Sequence, residues 1–115
     1  MTTLYGISNC DTIKKAQKWL KTNNVTYTFH DYRKDGLDEA LLKQFLKDID
    51  WTDLLNKRST SFRNLSTEQK ENLSEESIIP LFIELPTLIK RPLLINKQNH
   101  LLGFKAENYQ SFFDI

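Results

Sequence analysis

The chain has 115 residues, with 16 Lys+Arg against 15 Asp+Glu and a net charge of +1. A single cysteine, Cys10, excludes an internal disulfide framework and a Cys-rich zinc site. Near-zero charge with 7 Phe, 4 Tyr and 2 Trp opposes disorder and gives no electrostatic argument for nucleic acid as a partner. No run approaches the ~20 apolar residues of a membrane span. Met1-Thr2-Thr3-Leu4 has neither the basic region nor the apolar run of a secretion signal, so no membrane partner and a cytoplasmic location are expected.

Thr3-Leu4-Tyr5-Gly6-Ile7 reads as a short buried strand, and Ser8-Asn9 as a tight connection. From Cys10 the pattern turns helical, with Ile13, Ala16 and Leu20 on one face and Lys14, Lys15, Lys18 and Lys21 mostly off it. Asp11 and Thr12 suit the first turn of that helix, and Asn23-Asn24 end it. Val25 to His30 alternates, with Val25, Tyr27 and Phe29 on one face. Strand, helix and strand within about 30 residues make a βαβ unit, so these two strands should be parallel.

The middle of the chain reads as helical. Leu37, Leu41, Leu42, Phe45, Leu46 and Ile49 define one amphipathic helix, and Trp51, Leu54 and Leu55 a shorter one. Ser66 with Gln69 has the form of a capping box. Ile78, Ile79, Phe82, Ile83 and Leu85 predict a further helix that starts late or kinks at Pro80 and is closed by Pro86. Leu93-Leu94-Ile95 and His100-Leu101-Leu102 then flank the hairpin loop Asn96-Lys97-Gln98-Asn99. A final helix carries Ala106, Tyr109, Phe112 and Phe113.

Cys10 falls where a strand feeds a helix. Helix N-terminal amides favour a thiolate, and the carboxyl edge of such strands is where ligands bind in open α/β sheets. A buried, inert thiol is the competing reading. Lys14, one turn on, would add positive charge if its side chain folded back. Only 4 arginines stand against twelve lysines. Of these, Arg91 directly precedes Pro92 and a predicted strand, a setting suited to oxyanion or carboxylate binding. Pro92 is a candidate cis peptide. His30 and His100 lack partners at metal-ligand spacing, so no metal is expected.

Tyr5-Gly6-Ile7-Ser8-Asn9-Cys10-Asp11-Thr12-Ile13-Lys14-Lys15-Ala16 resembles the active-site opening of the ArsC/Spx (arsenate reductase-like) family. The resemblance continues through Phe29–Leu37, Leu54–Thr60, Ile89–Leu94 and Leu102-Gly103-Phe104, in the family's order, and is greatest to its YffB-like branch. It implies a single ArsC-like domain of α/β class. That domain would have a thioredoxin/glutaredoxin-like β-α-β … β-β-α core, about 1–35 and 87–115, and a helical insert, about 36–86, between the halves. It further implies that Cys10 is the nucleophile, that Arg91 precedes a cis-proline at Pro92, and that Arg58 is the insert's active-site arginine. Asn9, Thr12 and Lys14 join Arg58, Arg91 and Pro92 as the residues expected to bind substrate or glutathione.

Two departures sharpen this. Ile13 stands where the redox-sensing Spx regulators carry a second cysteine, and Gly103-Phe104-Lys105-Ala106 lacks the further arginine of arsenate reductases. With one thiol, a mixed disulfide has to be resolved from outside the chain. The expectation is a glutathione-dependent thiol–disulfide oxidoreductase with no permanently bound cofactor. Its partners would be glutathione as co-substrate, a disulfide or glutathionylated substrate, and glutaredoxin. The alternatives are an arsenate reductase and an Spx-like regulator that binds RNA polymerase.

Overall fold

The computed structural model describes all 115 residues, which divide into two compact units, Met1–Asp35 with Arg91–Ile115, and Gly36–Lys90. In the first unit, β1 (Thr2–Gly6), β2 (Thr28–Asp31), β3 (Leu93–Asn96) and β4 (Asn99–Leu102) form one sheet in the order β2-β1-β3-β4. β1 runs parallel to β2 and antiparallel to β3, and β3 is antiparallel to β4. The register aligns Phe29, Leu4, Leu94 and Leu101 in a row across all four strands. Side chains alternate along a strand, so this row lies on one face. That face packs on Ala16 and Leu20 of α1 (Asp11–Thr22) and Tyr109 of α7 (Ala106–Phe113), with Val25, Tyr27 and Trp19 at its margin. Each fully buried leucine here contributes about 1.5–3 kcal/mol.

β2 is shorter than its alternating sequence. Val25 to Tyr27 keep the inward-facing period but lie outside the ladder, which runs from Thr3↔Thr28 to Gly6↔Asp31. β1 begins at Thr2, so almost no strand stands opposite these residues. The hairpin loop narrows to Lys97 and Gln98, with Lys97 taking a left-handed φ of 60°.

The close fit of β1 to α1 depends on Gly6. A Cβ there would overlap Cδ1 of Ile13 and lie 3.0 Å from its Cγ1. Ile13 is fully buried, so its side chain can give way only by disturbing the packing around it. Gly6→Ala is expected to destabilise the fold by about 1–3 kcal/mol, read as a lowered urea midpoint.

The second unit is helical: α2 (Glu39–Asp48), α3 (Trp51–Leu54), α4 (Thr60–Arg63), α5 (Thr67–Glu71) and α6 (Glu75–Glu84), then a single 3-10 turn at Pro86–Leu88. Each of these five α-helices starts with a side-chain cap. Asp38, Asp50 and Ser59 accept the amides of Leu41, Thr52 and Phe62, and capping boxes pair Ser66 with Gln69 and Ser74 with Ser77. The box at Ser74, followed by Glu75 and Glu76, starts α6 ahead of Pro80 rather than at it, and the proline sits inside the helix. α4, absent from the sequence pattern, is a single turn held by the Ser59 cap. Residues 87–90 group with this unit. Leu55 bridges Ile89, Asn56 N–H donates to the Leu88 carbonyl at 2.7 Å, and Lys90 N–H to that of Leu54 at 2.8 Å. No helix is long and apolar enough to cross a membrane.

Candidate active site

The βαβ crossover places Cys10 as the N-cap of α1, with extended backbone at φ −126° and ψ 128°. Its half-buried thiol makes no capping hydrogen bond of full geometry. Burial alone would push the thiol up. The Ile13 and Thr12 amides and the Arg91 guanidinium, all close to the sulfur, outweigh it, and Cys10 is held below the usual thiol range. Two kinds of positive charge therefore meet at Sγ: the partial charges of the first helical turn and a full guanidinium.

Arg91 is half-buried at the entry to β3, and the Arg91–Pro92 bond is cis. Pro92 is buried, and its carbonyl accepts the Gly103 amide at 2.9 Å. Thr12 is half-buried at the first turn of α1, its amide turned to the sulfur, and Asn9 is exposed in the turn before the cysteine. Lys14 is also exposed. It lines a shallow groove on α1 with Gln17, Lys18, Lys21 and Thr22, and the cation acting on the thiol is Arg91. The structure thus brings Cys10, Thr12 and Arg91 together within the first unit. Arg58 belongs to the helical unit, exposed in the turn after α3, where its amide donates to Asn56 Oδ1 at 3.1 Å. Neither histidine joins a metal-binding cluster, and no group of three or more such ligands exists in the chain. The His30 ring instead lies 5.1 Å from that of Tyr5 and 6.2 Å from that of Tyr32.

Sequence reasoning missed Asp31. It is 2% exposed at the end of β2, and its carboxylate accepts the amides of Ser8 at 3.1 Å, Arg33 at 2.8 Å and Lys34 at 3.3 Å. Burial would raise this carboxyl, but the amides of Arg33 and Ser8 and the Ser8 hydroxyl prevail and hold it below the usual range. An aspartate directly after an alternating strand was the only signal.

Arg91→Gln removes the full charge beside the sulfur and leaves the helix amides in place. The inflection of Cys10 alkylation against pH is expected to rise by about half to one unit, lowering the rate at neutral pH. An unmoved inflection would show that the guanidinium does not act on the thiol.

The sheet order, with a cysteine leading α1 off a central strand, defines a thioredoxin-like fold. The ArsC family model matches residues 5–112, and the chain belongs to the ArsC family. An uncharacterized protein of Haemophilus influenzae is 46% identical over 113 residues, spanning 98% of this chain and 99% of its own. The solved structure of a YffB protein is 40% identical, with a TM-score of 0.88 over 96% of this chain and 97% of that one. The global transcriptional regulator Spx 2 of Bacillus anthracis is 28% identical over 114 residues, spanning 97% of this chain and 86% of its own.

Proposed function

We propose that the chain is a glutathione-dependent thiol–disulfide oxidoreductase with Cys10 as its only nucleophile. The observation that carries this reading is the thiol held toward its anion between the α1 amides and Arg91. The thiolate is the attacking form in disulfide exchange. Cys10 attacks the glutathione sulfur of a glutathionylated substrate. The substrate's S–S bond breaks, its thiolate leaves, and a Cys10–glutathione disulfide forms. A second glutathione thiolate then attacks the bound glutathione sulfur, oxidised glutathione departs, and Cys10 returns as thiolate. The net change converts a glutathionylated thiol and reduced glutathione into a free thiol and oxidised glutathione. In this reading Arg91 pairs with a glutathione carboxylate. Asn9, Thr12, Lys14 and the turn into Pro92 contact the tripeptide, and Arg58 takes a second carboxylate on the strength of the family resemblance.

The test is turnover of a glutathionylated peptide by reduced glutathione, with mass spectrometry to trap the adduct on Cys10. Turnover with an adduct at Cys10 supports the reading, and no turnover overturns it. An arm with arsenate, glutathione and glutaredoxin addresses arsenate reduction; robust turnover there would displace the thiol-exchange reading. The similarity to an Spx regulator favours a second reading, a non-catalytic partner of RNA polymerase. Ile13 removes the paired-cysteine switch but no binding surface. Retention on the isolated carboxy-terminal domain of polymerase α, with no thiol turnover, would favour it.

A further inference from the structure

We propose that Asp31 is a positioning residue for Cys10: its buried carboxylate, by holding the Ser8 amide, fixes the short turn that delivers the cysteine to the start of α1. The inference rests on Cys10 being the nucleophile.

The turn between β1 and α1 is short, and the cysteine follows Ser8 by two residues. The Cys10 side chain does not cap the helix, so it does not fix its own place there. The fixed point lies instead across the parallel strand pair. Gly6 at the end of β1 faces Asp31 at the end of β2, and the Tyr32 amide donates to the Gly6 carbonyl at 2.8 Å. From that joint the carboxylate reaches both ways. Oδ2 accepts the Ser8 amide at 3.1 Å, and Oδ1 accepts the amides of Arg33 and Lys34 at 2.8 and 3.3 Å. The Ser8 hydroxyl also donates to it. The carboxylate therefore cross-links the nucleophile's turn to the turn that follows β2. Bonds from amides to a buried carboxylate are among the stronger hydrogen bonds, and their geometry is correspondingly fixed.

The titratable and charged groups of the neighbouring segments include the buried Tyr32 phenol, which interacts with Tyr5 and Arg91, and the exposed Asp11 and Lys14 of α1. The Asp35 carboxylate accepts the Asp31 amide at 2.9 Å, and Arg91, entering β3, acts on Cys10. The side chains of Arg33 and Lys34 are exposed.

Two effects of Asp31→Asn carry opposite signs, which makes the proposal testable. Deleting a negative charge near the thiol would by itself favour the thiolate and lower the alkylation inflection. Releasing Ser8 lets Sγ drift from the Thr12 and Ile13 amides, which disfavours the thiolate and raises it. Positioning predicts the rise.

The experiment follows iodoacetamide alkylation of the full chain against pH for the wild type, Asp31→Asn and Ser8→Ala, with thermal melts to confirm folding. Asp31→Asn is expected to raise the inflection by about one unit, roughly tenfold less thiolate at a given pH below it. Ser8→Ala, which loses only the hydroxyl donor, is expected to rise less, in the same direction. A wild-type inflection at or above the ordinary thiol range would remove the Cys10 reading itself. A low wild-type inflection that neither variant raises would overturn the positioning role and leave the nucleophile standing. Should Asp31→Asn fail to fold, Asp31→Glu, which keeps the charge but moves the carboxylate off the Ser8 amide, decides the matter by the same criterion.

Discussion

Cys10→Ser is expected to abolish glutathione-dependent disulfide reduction, by at least about a thousandfold. The helix amides and Arg91 lower the pKa of whatever sits at position 10 by a limited amount. That suffices for a thiol, whose ordinary pKa is about 8.5, and is far too little for an alcohol. Serine also cannot form the mixed disulfide on which the cycle depends. The substitution should not weaken the fold. Serine is a preferred N-cap, and its oxygen can accept an amide at the start of α1 that the cysteine leaves without a side-chain acceptor of full geometry. The variant is expected to melt at or slightly above the wild-type temperature while losing activity. Retained turnover would remove Cys10 from the mechanism.

The largest expected stability effect lies at Tyr109. It is completely buried, and its ring meets those of Phe104 at 4.8 Å, Trp19 at 5.4 Å and Phe113 at 6.4 Å, all edge-on. It also packs under Leu4 and Leu94 of the central strands. Tyr109→Ala removes the ring that joins α7 to the sheet and should cost about 3–5 kcal/mol in urea unfolding. Tyr109→Phe should do the opposite. The phenol oxygen is buried without a hydrogen-bond partner, and burial pushes its ionisation well above the ordinary tyrosine value. Removing an unsatisfied buried hydroxyl while keeping the ring should be neutral or stabilising by up to about 1 kcal/mol. A phenylalanine variant markedly less stable than the wild type would show that the hydroxyl has a partner in solution.

How far the molecule could be read from its sequence differs from element to element. The segment from Thr2 to Thr22 was legible because two periods meet there, strand alternation and then a helical face of Ile13, Ala16 and Leu20, with the cysteine at the change. Val25 to Tyr27 show alternation without a strand, because burying one face does not require a ladder partner. α6 starts before its proline because the Ser74–Ser77 box fixes the first turn, a local signal that the apolar run obscured. Arg91 stood out through its neighbour Pro92, and its guanidinium lies beside the sulfur. Asp31 could not be picked out. What distinguishes it is an amide from 23 residues earlier, and a single sequence carries no trace of that meeting.

The unfilled cap of α1 bears on the end of the reaction as much as on its beginning. A folded thiol shifted downward stabilises the protein at pH values above its unfolded titration, and that contribution fades as pH falls through the folded one. Joining the sulfur to glutathione removes the charge and so gives up the same contribution. In the cycle proposed above, the mixed disulfide would lack that contribution, and Cys10 would be the better of its two leaving groups. Release would then favour regeneration: the incoming glutathione would displace a sulfur that the protein is already shaped to receive as an anion, and the cycle would close without a second cysteine in the chain.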